Sequence, residues 1–195
     1  MNGFHDQLAL LDDIPHEDVL FFVACSDRKL ETDTPVPLRD LYDGPVWQTL
    51  RSHGSHVRDS QIVVLSGKYG WTGAGAFHLP YNERISPQKV DRLVERGATV
   101  QDRTSKGMVI GWTPVQLVAR PFGAEPWTAV VVCAGELYRR AIDPVVRELK
   151  DLGYIDAGAP ELVMSGGIGD QRGQLGQVLR HLDPDLRFAD APGPR

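Results

Sequence analysis

The chain has 195 residues, 42% of them hydrophobic and 24% charged, which is enough to bury roughly 70% of its unfolded surface and predicts one globular domain over 1–195. No run approaches the ~18 apolar residues of a membrane span, the acidic segment 1–17 lacks the basic start of a signal peptide, and two cysteines, Cys25 and Cys133, are too few for a disulfide framework. A cytoplasmic protein with no membrane partner is expected, and the net charge of −5 argues against binding nucleic acid through bulk positive charge.

Taken in chain order, short apolar runs alternate with helical patterns, which predicts an α/β domain. Strands are expected at residues 19–24 (VLFFVA), 62–65 (IVVL), 129–133 (AVVVC) and 162–164 (LVM), with 108–110 as a further candidate. These runs lack polar alternation, so the sheet should be mainly parallel, central and covered on both faces by helices. Leu41, Trp47 and Leu50 indicate a helix after the first strand, and Ser86-Pro87 starts one that Gly97 ends. A helical pattern follows Gly135, but Pro144 predicts a kink or two short helices, the second capped by Asp143 and stopped by Gly153. Leu175, Val178, Leu179 and Leu182 indicate the last helix, and residues 183–195 read as a frayed tail. Residues 98–128 are broken by glycine and proline and read as an irregular insertion packed beside the sheet through Trp112, Phe122 and Trp127.

Three of the strands end in small or polar residues: Cys25-Ser26-Asp27-Arg28-Lys29, Ser66-Gly67-Lys68-Tyr69-Gly70 and Ala134-Gly135-Glu136-Leu137-Tyr138. In an open α/β sheet the C-terminal strand edge gathers such loops with the N-termini of helices, so the site is expected there. Gly166-Gly167-Ile168-Gly169-Asp170-Gln171 follows the last strand and opens a helix whose backbone can approach a phosphate or sugar. Neither a P-loop nor a dinucleotide-binding fingerprint is present and the histidines are scattered, so no cofactor and no metal are expected. Cys25 reads as a buried strand-end thiol more readily than as a nucleophile, since no histidine adjoins it in sequence.

Taken together, Cys25-Ser26-x-x-Lys29, Arg39-Asp40-Leu41-Tyr42-x-Gly44, Leu65-Ser66-Gly67-Lys68-Tyr69-Gly70, Pro80-Tyr81-Asn82, Ala134-Gly135-x-x-Tyr138 and Gly167-Ile168-Gly169-x-Gln171 resemble a bacterial and phage family of unknown function related to the peroxide-stress protein YaaA. The match runs from about residue 20 to 182, with Trp71 standing where the pattern has an aliphatic residue. The resemblance implies a nucleic-acid partner, most directly DNA, and a setting among base-modification genes and phage defence. It names no reaction.

The residues suit cleavage of an N-glycosidic bond, as in a DNA glycosylase that excises a modified base. Its transition state is oxocarbenium-like and is helped by a carboxylate, a proton donor for the leaving base and an aromatic platform. Asp40 is the expected carboxylate, with Asp170 and Glu136 behind it, and Lys68 and Tyr69 are the expected donors. Cys25, Ser26, Lys29, Tyr42, Ser66, Gly67, Tyr81, Asn82, Gly135, Glu136, Tyr138, Gly167, Gly169 and Gln171 complete the expected substrate site. Basic residues between Arg84 and Lys106, or Arg51, His53, His56 and Arg58, are expected to hold a DNA backbone. The plain alternatives are that Asp40 caps a helix, the lysines pair with acids and the tyrosines fill the core. A non-catalytic DNA-binding protein and an enzyme of free nucleosides or nucleotides, such as a deoxyribosyltransferase, are the rival functions.

Overall fold

In the computed structural model, which describes residues 4–103 and 107–187, the most apolar run becomes the central strand β1 (Val19–Ala24). It is flanked by β2 (Ile62–Ser66), β3 (Gly70–Gly73), β4 (Ala129–Cys133) and β5 (Glu161–Val163) in the order β3-β2-β1-β4-β5. Strands β2, β1, β4 and β5 run parallel, and β3 returns antiparallel along the edge of β2. Phe22 stands opposite Val63 on one neighbour and Val132 on the other, so the uniform hydrophobicity of these runs follows from burial on both faces.

One face carries Phe21, Val23 and Val131 against Trp47 and Leu50 of α1 (Pro45–His53) and Leu175 and Val178 of α4 (Ile168–Leu182). The other carries Leu20, Phe22 and Val132 against Val90 and Leu93 of α2 (Pro87–Arg96) and Ile142 and Val145 of α3 (Glu136–Asp151). Each such side chain contributes about 1.5–3 kcal/mol by leaving water. Ser86 caps α2 by accepting from the Lys89 N–H at 3.2 Å, as its sequence signature predicts.

The fold departs from the sequence expectation in several places. Edge strand β3 was not anticipated: Gly70 at φ +67° closes a three-residue turn after Ser66, so a hairpin follows β2 where another crossover was expected. Helix α3 runs unbroken through Pro144, because Ala141, Ile142, Val145, Val146 and Leu149 are all buried against the sheet and outweigh one missing hydrogen bond; Asp143 pairs with Arg139 at 3.4 Å. The region after β1 forms a separate short turn, Leu38–Leu41, before α1. In the insertion, Val109–Ile110 pairs with Asp102–Arg103 and stays outside the central sheet. There Trp127 is buried and donates from Nε1 to the Val118 carbonyl at 2.8 Å, whereas Trp112 and Phe122 are exposed. At the C-terminus Pro184–Arg187 forms a helical turn, and residues 188–195 of the expected tail lie outside the described residues.

Candidate functional site

The strand order reverses between β1 and β4: the chain builds outward from β1 through β2 and β3, then crosses to β4 and β5 on the other side. The helix that follows β1 covers one face and the helix that follows β4 covers the other, so a crevice opens beyond the carboxyl ends of these two strands. A pocket of about 350 Å³ occupies it, at the lower end of the range of small-molecule sites.

Three helices begin at this pocket, and each has glycine at its N-cap: Gly44 for α1, Gly135 for α3 and Gly167 for α4. Their first turns supply backbone N–H groups without intrahelical acceptors and the positive ends of three helix dipoles, an arrangement that favours an anion. Gly44 lets Ser26 approach the start of α1, since a Cβ there would displace the Ser26 hydroxyl. Trp47 fixes the α1 end to β1 by donating from Nε1 to the Ala24 carbonyl at 2.9 Å.

The pocket wall carries Cys25, whose Sγ is 3.1 Å from the Tyr138 hydroxyl. Burial raises the Tyr138 pKa well above that of a free phenol, so its proton stays in place as a donor. Asp27 is the one carboxylate among the described residues lining the pocket, and it pairs with exposed Arg84 at 2.9 Å. Gln171 is buried, and its Nε2 donates to the Gly166 carbonyl at 3.1 Å.

Beside Cys25 lies a second group of polar side chains. Ser66 Oγ accepts the N–H groups of Lys68 at 3.2 Å and Tyr69 at 3.0 Å, so its own hydrogen goes to the Tyr81 hydroxyl at 2.7 Å. Tyr42 bonds the same Tyr81 hydroxyl, and Tyr81 also interacts with the Cys25 sulfur. Burial raises the pKa of both phenols, so they act as a neutral relay. Lys29 Nζ sits 4.3 Å from the Tyr81 ring centroid and donates to the Ser26 carbonyl at 2.7 Å; burial lowers its pKa below the ordinary lysine value. Lys68 lies 5.4 Å from the Tyr69 ring, which stacks on His78 at 3.8 Å.

The residues singled out from the sequence thus divide. Cys25, Ser26, Gly135, Tyr138 and Gln171 line the pocket, and Lys29, Tyr42, Ser66, Lys68, Tyr69 and Tyr81 form the adjoining cluster, with Gly67 in the hairpin turn beneath it. Asp40 is exposed on Leu38–Leu41 and is not among the lining residues. Asp170 is spent at the start of α4, where its Oδ2 accepts from the Gly167 N–H at 3.0 Å. Asn82, Glu136 and Gly169 are exposed and outside the lining.

Sequence reasoning missed Asp27 and Lys89. Asp27 stands three residues past the end of a buried strand, a signal that was available. Lys89, expected in a basic face, is buried and donates from Nζ to the Gly67 and Lys68 carbonyls at 2.7 and 2.8 Å, fixing the hairpin turn. Much of the basic surface expected to hold DNA is similarly engaged: Arg96 pairs with Asp102, and Arg51 donates to the Arg39 and Tyr42 carbonyls and to Asp43. Comparison with known protein families, with curated proteins and with solved structures gives no match. No helix among the described residues is long and apolar enough to cross a membrane.

Proposed function

We propose that the pocket takes one nucleotide and that the chain cleaves its N-glycosidic bond. The observation that carries this reading is the shared lining of a nucleotide-scale pocket by one carboxylate, Asp27, by the Cys25–Tyr138 pair and by the first turns of three helices, of which α1 and α3 have no side-chain cap. The helix ends receive the phosphate. Asp27 offsets the positive charge that develops on the sugar as the C1′–N bond breaks, and the Tyr138 hydroxyl donates to the leaving base. Water adds its oxygen to C1′, and one of its protons leaves with the base or returns to the phenol. Lys29 strengthens the anion-attracting field from behind the Ser26–Asp27 carbonyls. The motif resemblance to the YaaA-related family supports a nucleic-acid or nucleotide setting.

The test is mass spectrometry of free bases after incubation with deoxynucleoside 5′-monophosphates and with short DNA strands carrying ordinary and modified bases. Base release is expected, with Asp27→Asn lowering it at least about 100-fold and Asp40→Asn leaving it unchanged. No release from any substrate, or release indifferent to Asp27→Asn, overturns the proposal.

A further inference from the structure

Beside the pocket, α1 and α4 border an open surface groove of about 360 Å³. Its position follows from the helices themselves. The first turn of α1 borders the nucleotide pocket while Thr49, Ser52 and His53 border the groove, and on α4 the lining passes from Ile168 and Gln171 to Arg172 and Arg180. On α4 the two linings interleave, Gly169 and Arg172 belonging to the groove and Ile168 and Gln171 to the pocket, so the groove adjoins the pocket across the first turn of that helix.

Two features suit it to an anion. Glycines at 169, 173 and 176 remove side chains from the α4 wall and leave room between two closely packed helices. Arg172 and Arg180 reach into that room, and neither guanidinium has a hydrogen bond or ion-pair partner among the described residues. Arg180 lies back along its own helix, with Nη1 3.3 Å from where a Cβ on Gly176 would stand. The lining contains no Asp or Glu, and His53 and Ser52 add a ring nitrogen and a hydroxyl hydrogen-bonded to each other at 2.9 Å. Arg58, Arg92 and Arg147 also lack a side-chain hydrogen bond or ion pair among the described residues, but they lie outside this lining; what marks the groove is that two such guanidiniums share one acid-free surface.

Arg172 and Arg180 stand eight residues apart, about 12 Å between their backbone positions, and the Arg180 guanidinium lies one turn back toward Arg172, so the two cations line one groove as the repeated phosphates of an extended chain require. We infer that the groove between α1 and α4 holds the phosphodiester backbone beside the nucleotide in the pocket, so that the substrate is a single strand of DNA. This rests on the nucleotide reading of the pocket. It also agrees with the chemistry, because a base can enter such a pocket only from an unpaired or extruded nucleotide.

The test measures binding of a fluorescein-labelled ten-nucleotide DNA strand and of a deoxynucleoside 5′-monophosphate across a salt series. In the unaltered protein the strand binds at least tenfold more tightly than the mononucleotide. Arg172→Gln/Arg180→Gln lowers strand affinity at least tenfold at 0.1 M salt, and the slope of log K against log salt falls by about 1.4, at about 0.7 per lost phosphate contact. Mononucleotide binding stays the same. Gly173→Glu gives an independent variant: a Cβ there meets nothing within 4 Å, so the fold accommodates it, and the added carboxylate selectively weakens the strand.

An unchanged salt slope in both variants, strand binding no tighter than mononucleotide binding, or equal competition by inorganic polyphosphate of the same charge overturns the inference. A strand effect without mononucleotide binding keeps the groove and removes the pocket reading. Mononucleotide binding without the strand effect does the reverse.

Discussion

Replacing Tyr81 with phenylalanine tests the polar relay beside the pocket, because its hydroxyl is the common partner of two buried hydroxyls. Both acceptor positions of Ser66 Oγ are taken by backbone N–H groups, so without the Tyr81 oxygen its hydrogen has no acceptor, and Tyr42 loses its partner too. Each orphaned buried group costs about 1–3 kcal/mol, so Tyr81→Phe should cost about 2–5 kcal/mol. Tyr42→Phe alone removes one bond and leaves Tyr81 bonded to Ser66, at a cost of about 1 kcal/mol. In the Tyr81→Phe background, Tyr42→Phe removes an orphan, so it should be neutral or stabilising there. Urea unfolding followed by tryptophan fluorescence on the four proteins gives the cycle, with an expected coupling of about 1–2 kcal/mol. At about 2–4 °C per kcal/mol for a chain of this size, Tyr81→Phe lowers Tm by about 4–20 °C. Costs that add within about 0.5 kcal/mol refute the shared-partner assignment.

Iodoacetamide should modify Cys25, which is half-buried in the pocket wall, and spare Cys133, which borders the same pocket but is buried, with its thiol pKa pushed up to about 12; a bound nucleotide should slow the reaction, as peptide mass mapping would show. Gly67→Ala should destabilise by about 1–3 kcal/mol, since its Cβ would meet backbone of Glu83 and Arg84 at 2.4 and 2.8 Å. Gly44→Ala should cost less stability but weaken nucleotide binding, since only the Ser26 side chain must give way; thermal melts and titration calorimetry separate the two. His56 has neither ring nitrogen hydrogen-bonded, and burial lowers its pKa. On acidification the unfolded chain therefore takes up a proton near pH 6.5 before the folded one does. Stability should fall as pH drops below about 6.5, and His56→Gln should flatten that slope in urea unfolding at several pH values.

The sheet was legible because β1, β2 and β4 are unbroken apolar runs, a pattern that only two-sided burial sustains. Much of the site followed from it: the residues after three strands converge because those strands are neighbours and parallel, which brings Cys25, Ser66 and Tyr138 together. Tertiary choices hid the rest. Arg39 swings into the Val57 and Gly54 carbonyls at 2.6 Å each, anchoring its short helix in a way no local pattern encodes, and neighbouring Asp40 is left exposed. Pro144 misled because propensity is local while the burial that overrides it depends on the sheet. The glycine N-caps at 44, 135 and 167 were visible one by one, but their common destination required the strand order.

The most direct test is a crystal structure of the protein with a deoxynucleoside 5′-monophosphate. The account predicts the phosphate within hydrogen-bond distance of backbone N–H groups in the first turns of α1, α3 or α4, with the sugar beside Asp27 and the base near Tyr138. A nucleotide seated elsewhere, or a pocket left empty at millimolar nucleotide, contradicts it.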